Sequence, residues 1–124
     1  MEPSIGKLRE SARQWIDAWN RRDLDGILEH YADNVRICSP MVTVRTGSPD
    51  GWLHGKANLR DYFAMGLRKP DIRFELIDVL IGINAVTVVY RRENGAMVAD
   101  CSELDAHGRI IRMIACYGSP AGTP

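Results

Sequence analysis

The feature that most constrains the fold is a run of four strand-like segments after Pro70. They read RFELIDVLIG, AVTVVYRR, MVADCSEL and RIIRMIACY, and they are rich in β-branched and aromatic residues. Short turns separate them at Ile83-Asn84, Asn94-Gly95 and Asp105 to Gly108. Because consecutive strands joined by short turns pair antiparallel, this half of the sequence predicts a four-stranded meander.

The first half has helical periodicity instead. Apolar residues recur three and four positions apart over roughly residues 4 to 20, which predicts an amphipathic helix. Asp23 is expected to cap a short second helix. That helix would carry inward Leu24, Ile27, Leu28 and Tyr31. Gly55 precedes a third helix, which ends just before Pro70.

Two segments separate the second helix from the third. VRICS is predicted to be a short strand, and the text from Met41 to Trp52, rich in Thr, Gly, Ser and Pro, is predicted to be a loop over an opening. The order of elements predicts an α+β fold. We expect three N-terminal helices packed on a strongly curved, mostly antiparallel sheet, forming a cone with an internal pocket. Residues 1–124 would make one domain.

Composition excludes several partners. Sixteen basic residues balance sixteen acidic ones, so we expect no binding to nucleic acid or to an anionic membrane. No apolar run is long enough to span a bilayer, and the N-terminus lacks the apolar core of a signal peptide. The three cysteines show no C-x-x-C spacing and are expected to be reduced, packed thiols of a cytoplasmic protein.

Asp100 stands out because a carboxylate is unusual in a half-apolar strand. A two- or four-residue turn in the last hairpin places Asp100 opposite Met113, on the face that also carries Ala115 and Tyr117. That face lacks formal charges, so Asp100 is expected to point into the core. A three-residue turn would reverse the prediction.

The preceding hairpin leaves two alternatives open. A two-residue Asn94-Gly95 turn puts Arg91 on the same face as Asp100, where a plain salt bridge would form. A three-residue loop puts Val88 and Tyr90 there instead. A solvated strand aspartate on the outer face therefore remains the alternative to a buried acid.

The stretches WIDAWNRRDLDGILEHYADNVRI, HGKANLRDYF and ELDAHGRIIRMIACYG resemble the SnoaL-like and ketosteroid-isomerase-like proteins of the nuclear-transport-factor-like fold. The resemblance covers roughly residues 8 to 118. It implies that Asp100 stands where the steroid isomerases keep a protonated aspartate that helps hold an oxyanion.

The same resemblance implies that other isomerase groups have changed. Ser39 stands at the position of the general base, Trp15 at that of the oxyanion-holding tyrosine and Phe63 at that of its supporting tyrosine, with Tyr62 adjacent. Serine cannot act as an unassisted base on carbon, and indole donates but does not accept a hydrogen bond. Steroid isomerisation by the usual mechanism is therefore not expected.

An acid in an aromatic cone is the expected site. The proposed ligand-binding residues are Trp15, Trp19, Tyr31, Ser39, Tyr62, Phe63, Met113 and Tyr117, for each of which ordinary core packing is the alternative. His54, just before the third helix, is a second candidate for proton transfer, and a solvated histidine is its alternative. His30 and His107 are expected at the surface. No metal-binding motif, P-loop or G-x-G-x-x-G is present, so neither metal nor cofactor is expected.

These observations favour a small protein that binds an apolar, cyclic carbonyl compound, with Asp100 as acid/base catalyst of an isomerase, cyclase or lyase type, as in the SnoaL-like cyclases. The alternative is a non-catalytic binding or assembly module of the same fold.

The outer face of the last hairpin also predicts assembly. Its apolar residues are Ala99, Cys101, Ile110, Ile114 and Cys116, interrupted by Glu103 and Arg112. The helices are used on the other side of the sheet, so this patch is expected to be covered by a second copy in a homodimer. The resemblance implies the same kind of assembly, because proteins of that family often form dimers by pairing sheet to sheet.

Overall fold

A computed structural model describes residues 4–119. Four helices are present: α1 (Ile5–Asn20), α2 (Leu24–Leu28), α3 (Pro40–Thr46) and α4 (Lys56–Leu67). Two of the six strands lie between the helices along the chain, and four come after the last helix. The strands are β1 (Tyr31–Cys38), β2 (Trp52–His54), β3 (Phe74–Gly82), β4 (Ala85–Arg92), β5 (Met97–Leu104) and β6 (Ile110–Tyr117). The predicted α+β class and the C-terminal meander are confirmed.

The six strands form one sheet in the order β2-β1-β6-β5-β4-β3. Only β1 and β6 pair in parallel; every other described pair is antiparallel. Register shifts interrupt β1, β3 and the β5–β6 ladder. Because such irregularities bend a strand and increase its twist, they help the sheet to curve around the helices.

The ends of the helices follow local chemistry. Ser4 and Asp23 cap α1 and α2, since their side chains accept hydrogen bonds from Lys7 N at 3.2 Å and Gly26 N at 3.0 Å. Asn20, at the end of α1, exchanges two hydrogen bonds of 2.8 Å with the backbone of Phe74. This pair fixes the end of α1 to the start of β3 and so closes one side of the cone.

Two predicted boundaries were wrong. The second helix ends at Leu28, and Tyr31 begins β1, although its side chain is buried as expected. The predicted loop from Met41 to Trp52 contains helix α3 and the start of β2. Ser39 caps α3 and Pro40 occupies its first turn, where proline is favoured because the first helical N–H groups have no partner in the helix.

The aromatic core lies between α1, α4 and the concave face of the sheet. Its closest ring pairs are Phe74 with Tyr90, at 4.5 Å between centroids, and Trp19 with both Phe63 and Phe74, at 5.0 Å. Trp15 joins the cluster at 5.5 Å from Tyr90. These rings fill much of the cone and leave only small spaces around the acid that faces them.

The outer face differs from its prediction in two respects. Cys101 and Cys116 are exposed rather than packed. Ile110 pairs with Leu104 and packs against the core, because the last turn has three residues and so places it on the concave side. Within residues 4–119, no helix is long and apolar enough to cross a membrane.

Candidate active site

Two cavities meet at Asp100 on the concave face of the sheet. Each has a volume of about 40 Å³. Trp15, Tyr31, Asp100 and Met113 line both of them. The first cavity extends toward α1 and the last hairpin turn, and the second extends toward α3 and α4. Asp100 is therefore reached from two sides.

The carboxyl group of Asp100 is buried, with 6% of the residue exposed. Its Oδ2 accepts a hydrogen bond of 3.2 Å from the Tyr90 hydroxyl, and its Oδ1 has no partner among the described residues. Burial raises the pKa of Asp100 to about 7, while the Tyr90 hydrogen bond and the Arg92 charge oppose the rise. Both protonation states are therefore populated near neutral pH.

The backbone register explains this position. Asp100 lies opposite Val88 on β4 and Ala115 on β6, so the predicted pairing with Met113 was wrong by two residues. The predicted two- or four-residue turn was wrong, since Asp105 N donates to Arg109 O at 2.8 Å and leaves a turn of three residues. The register shift next to Glu103 adds one more residue, and the two changes together keep the same face because side chains alternate with period two. The loop at Asn94-Gly95 has three residues, closed by a bond of 2.8 Å from Arg92 N to Ala96 O. Tyr90 therefore faces Asp100, and Arg91 pairs with Glu75 at 3.8 Å instead.

The second cavity brings together every residue that the sequence proposed for ligand contact. They are Trp15, Trp19, Tyr31, Ser39, Tyr62, Phe63, Met113 and Tyr117. Burial raises the pKa of both Tyr62 and Tyr117, and Asp100 contributes to the rise at each phenol. The phenols thus stay neutral hydrogen-bonding groups near the acid. Their role toward a ligand stays a prediction.

Two positions where the isomerase groups have changed are already occupied by structural contacts. Ser39 Oγ accepts a bond of 3.1 Å from Met41 N and so caps α3. Trp15 Nε1 donates a bond of 3.0 Å to the Tyr31 hydroxyl. The indole of Trp15 is therefore not free to hold an oxyanion in this arrangement.

A different indole has a free donor. Trp19 Nε1 is buried and has no hydrogen-bond partner within residues 4–119, and Trp19 lines the second cavity. Among the described residues, Asp100 Oδ1 is the other unpartnered buried side-chain atom, and Asp100 lines the same cavity. Since buried polar groups are nearly always hydrogen-bonded, a donor and an acceptor left open in one cavity indicate a place for water or a polar ligand.

Sequence reasoning missed two arginines in the second cavity. Arg45 lies in the last turn of α3, with its guanidinium 5.4 Å from the centre of the Tyr62 ring. Arg92 lies at the end of β4, 5.0 Å from the centre of the Phe74 ring. Arg45 lies in the segment that was predicted to be a loop, so no position in the core was expected for it. Arg92 is the second of two adjacent arginines at the end of a strand, and the sequence did not show that its side chain lines the cavity.

It also missed a polar pair in the first cavity. His30 is half-buried rather than at the surface, and its Nδ1 lies 3.1 Å from Ser11 Oγ. Burial lowers the pKa of His30, and the charge of Glu29 opposes the change. The shift favours the neutral imidazole, which shares the first cavity with Asp100.

His54 lies elsewhere. It ends β2 with an exposed side chain, stacks 6.4 Å from Trp52 between ring centres and lines neither cavity. Its predicted part in catalysis gains no support from this position and stays a prediction. Across residues 4–119, no three His, Cys, Asp or Glu side chains are grouped so that they could hold a metal ion.

Comparison with known proteins places this geometry in a family. The sequence profile of the SnoaL-like domain matches residues 12–115. A SnoaL-like protein of unknown function from Burkholderia thailandensis is 37% identical, with a TM-score of 0.90 over 95% of this chain and 100% of that one. The curated proteins include no match to this sequence.

More distant structures share the fold. An NTF-2 like protein of unknown function from Burkholderia xenovorans is 18% identical, with a TM-score of 0.74 over 96% of this chain and 88% of that one. A candidate ketosteroid isomerase from Kribbella flavida is 15% identical, with a TM-score of 0.72 over 96% and 83%. The fold is thus that of the NTF2-like, ketosteroid-isomerase-like cones. Within it, the chain belongs to the SnoaL-like family.

Proposed function

We propose that this protein binds a small carbonyl compound in its cone and that Asp100 catalyses proton transfer on it without a cofactor. The observation that carries the proposal is the state of Asp100. A buried carboxyl group whose pKa is about 7, with one oxygen unpartnered, lines both cavities. General acid/base catalysis is most efficient when the pKa of the group lies near the working pH.

The proposed chemistry uses the unpartnered atoms of Asp100 and Trp19, two residues that line the second cavity. Ionised Asp100 would take a proton through Oδ1 from the carbon beside the carbonyl, and the C–H electron pair would move to form an enolate. The Trp19 Nε1–H would donate to the enolate oxygen. Transfer of that proton from Asp100 to another carbon of a conjugated enolate completes an isomerisation. If the carboxyl proton is first replaced by one from solvent, its transfer to the original carbon completes solvent exchange. Both routes regenerate the ionised carboxylate of Asp100.

The cavity volumes favour small compounds. A water molecule needs roughly 10–15 Å³ of cavity volume, so each cavity of about 40 Å³ holds about three water molecules. Sites for drug-sized ligands are usually about 300–1,000 Å³. A steroid or polyketide would require the core aromatic side chains to move, whereas a short ketone or a single ring requires far less rearrangement.

Solvent exchange tests the proposal without a known substrate. Acetone, butanone and cyclohexanone are incubated in deuterated buffer near pH 7, and loss of the protons beside the carbonyl is followed by NMR. The unaltered protein should accelerate exchange of at least one ketone. Asp100→Asn should reduce the rate to that of buffer. Asp61→Asn is the matched control and should keep the full rate, because Asp61 is exposed and its side chain makes no hydrogen bond among the described residues. Full exchange by the Asp100→Asn protein would refute the catalytic role.

A non-catalytic binding module is the second candidate. It is favoured by Ser39 and Trp15, which stand where the isomerases have catalytic groups and are engaged in structural hydrogen bonds here. Mass spectrometry of compounds that co-purify with the protein would distinguish the two. A bound compound that is returned chemically unaltered after long incubation, without exchange of its protons, would support the binding module.

We also propose that the protein forms a homodimer through the outer face of the sheet. Cys101 and Cys116 are exposed on this face, and Ile114 is partly exposed beside them. Next to Ile114, Arg112 and Glu103 form an ion pair with an N–O distance of 3.3 Å. An apolar patch crossed by one ion pair fits a two-fold interface, in which each subunit covers the same patch of its partner.

A further inference from the structure

Arg45 is held at the second cavity by two contacts. Its guanidinium stacks 5.4 Å from the centre of the Tyr62 ring. It also lies against Gly66 of α4, where an added Cβ would come within 3.0 Å of Arg45 Nη1. The planar guanidinium group is thus held between α3 and α4, by the aromatic ring of Tyr62 and by the backbone of Gly66, which has no side chain.

The charge of Arg45 is not neutralised by the protein. Among residues 4–119, no carboxylate lies within 4.0 Å of it and its side chain donates no hydrogen bond. Arg92, the other arginine of the second cavity, is in the opposite situation. Its Nε and Nη2 donate to the two oxygens of Glu93 at 3.1 Å and 3.2 Å. One of the two arginines is therefore available to a ligand and the other is already paired.

Asp100, which lines the same cavity, does not pair with Arg45 either. Asp100 accepts a hydrogen bond from Tyr90 through Oδ2, and its Oδ1 has no partner within residues 4–119. The Nε1–H group of Trp19 also has no partner among the described residues. The second cavity thus offers an unpaired cation on α3, an unpartnered carboxyl oxygen on β5 and an unpartnered indole N–H on α1. A molecule that satisfies all three needs an anionic group and a carbonyl group on one small body.

We infer that Arg45 binds the carboxylate of the ligand, so that the compounds taken by this cone are small oxo acids. The planar guanidinium fork matches a carboxylate with two parallel hydrogen bonds, which gives both affinity and orientation. The inference rests on the proposed function, since Asp100 would then act on the carbonyl end. It adds that Arg45 selects an acid over a neutral ketone.

The test compares levulinate, a short oxo acid, with levulinamide, which has the same skeleton and no charge. Dissociation constants are measured by NMR titration of backbone amide shifts for the unaltered protein and for Arg45→Gln. Arg109→Gln is the matched control, because Arg109 is exposed, lies outside both cavities and makes no ion pair among the described residues. Arg45→Met, which keeps an apolar chain over Tyr62, guards against misfolding of the glutamine variant.

The unaltered protein and Arg109→Gln should bind levulinate at least about tenfold more tightly than levulinamide. Arg45→Gln and Arg45→Met should lose this preference and bind both compounds alike. Equal affinities in the unaltered protein, or an unchanged preference in both Arg45 variants, would overturn the inference while leaving binding of neutral carbonyl compounds intact. Binding of neither compound at tens of millimolar would overturn the inference and the proposed ligand together.

Discussion

The Tyr90 hydroxyl donates a 3.2 Å hydrogen bond to Oδ2 of Asp100 across neighbouring strands of the sheet. Both residues are buried, and Tyr90 also stacks on Phe74 at 4.5 Å. A phenol fixed in this way holds one oxygen of the carboxyl group in place and leaves the other without a partner among the described residues. The Tyr90 hydroxyl on β4 therefore determines which oxygen of Asp100 stays open for proton exchange.

Tyr90→Phe should raise the pKa of Asp100 further above 7. The Tyr90 hydrogen bond lowers the pKa because it stabilises the ionised form, so its loss leaves burial less opposed. A hydrogen bond to a charged group is worth about 1.5–3 kcal/mol, which corresponds to roughly one to two pKa units. NMR titration of the Asp100 carboxyl in both proteins measures the shift. An unchanged pKa would mean that Tyr90 does not bond the ionised form.

Asp100→Asn should remove a pH dependence of stability. Because the pKa of Asp100 is raised in the folded protein, ionisation favours the unfolded state, and stability is lost as pH rises from about 4 to about 7. The loss is at most about 4 kcal/mol, from three pKa units at about 1.4 kcal/mol each. Urea unfolding at pH 4 and pH 8 measures it, and His30 contributes equally to both proteins. If Asp61→Asn removed the dependence and Asp100→Asn kept it, the assignment to Asp100 would be wrong.

The inward direction of Asp100 was predicted from a turn length that the structure does not have. The last turn has three residues, since Asp105 N donates to Arg109 O at 2.8 Å, and that turn alone would have reversed the predicted face. The register shift between Glu103 and Leu104 adds a second one-residue change, so the total error is two residues and the face is kept. No turn signal in the sequence announces such a shift, so the exact pairing could not be predicted.

Helix α3 and its arginine were missed for a different reason. Ser39-Pro40 is a helix-start signal, a capping side chain followed by proline in the first turn, but the Thr, Gly and Ser residues that follow favour a loop. The position of Arg45 beside Tyr62 depends on the packing of α3 near α4, which sequence periodicity does not reveal. The half-buried His30–Ser11 pair likewise depends on a contact between distant parts of the chain.

Gly66→Ala should separate stability from ligand preference. Alanine in a helix interior is favoured over glycine by up to about 1 kcal/mol, so the free energy of unfolding should not fall. The new Cβ would lie 3.0 Å from Arg45 Nη1, and the flexible arginine would move away from its place over Tyr62. Urea unfolding and the levulinate titration should then show a stable protein with a reduced preference for the acid. An undiminished preference would show that the position of Arg45 does not matter.

Ile114→Arg should convert a dimer into monomers. Ile114 lies on β6 between Cys101 and the Arg112–Glu103 pair on the outer face, so the substitution places an unpaired charge in the proposed interface. Light scattering at micromolar concentration measures the mass. Ile83→Arg, at an 89% exposed turn position, introduces the same charge away from the patch and should leave the mass unchanged. If the unaltered protein were monomeric in the same measurement, the proposed dimer interface would be wrong.

The measurement that tests the central claim most directly is the pKa of Asp100 itself. The carboxyl carbon of selectively labelled aspartate is followed by NMR from pH 3 to pH 9, and the Asp100 signal is assigned by its absence from Asp100→Asn. We expect a midpoint near 7, because a buried carboxyl with one unpartnered oxygen favours its neutral form. A midpoint near 4, the ordinary value for a solvated aspartate, would contradict the claim that this cone holds an acid for proton transfer at neutral pH.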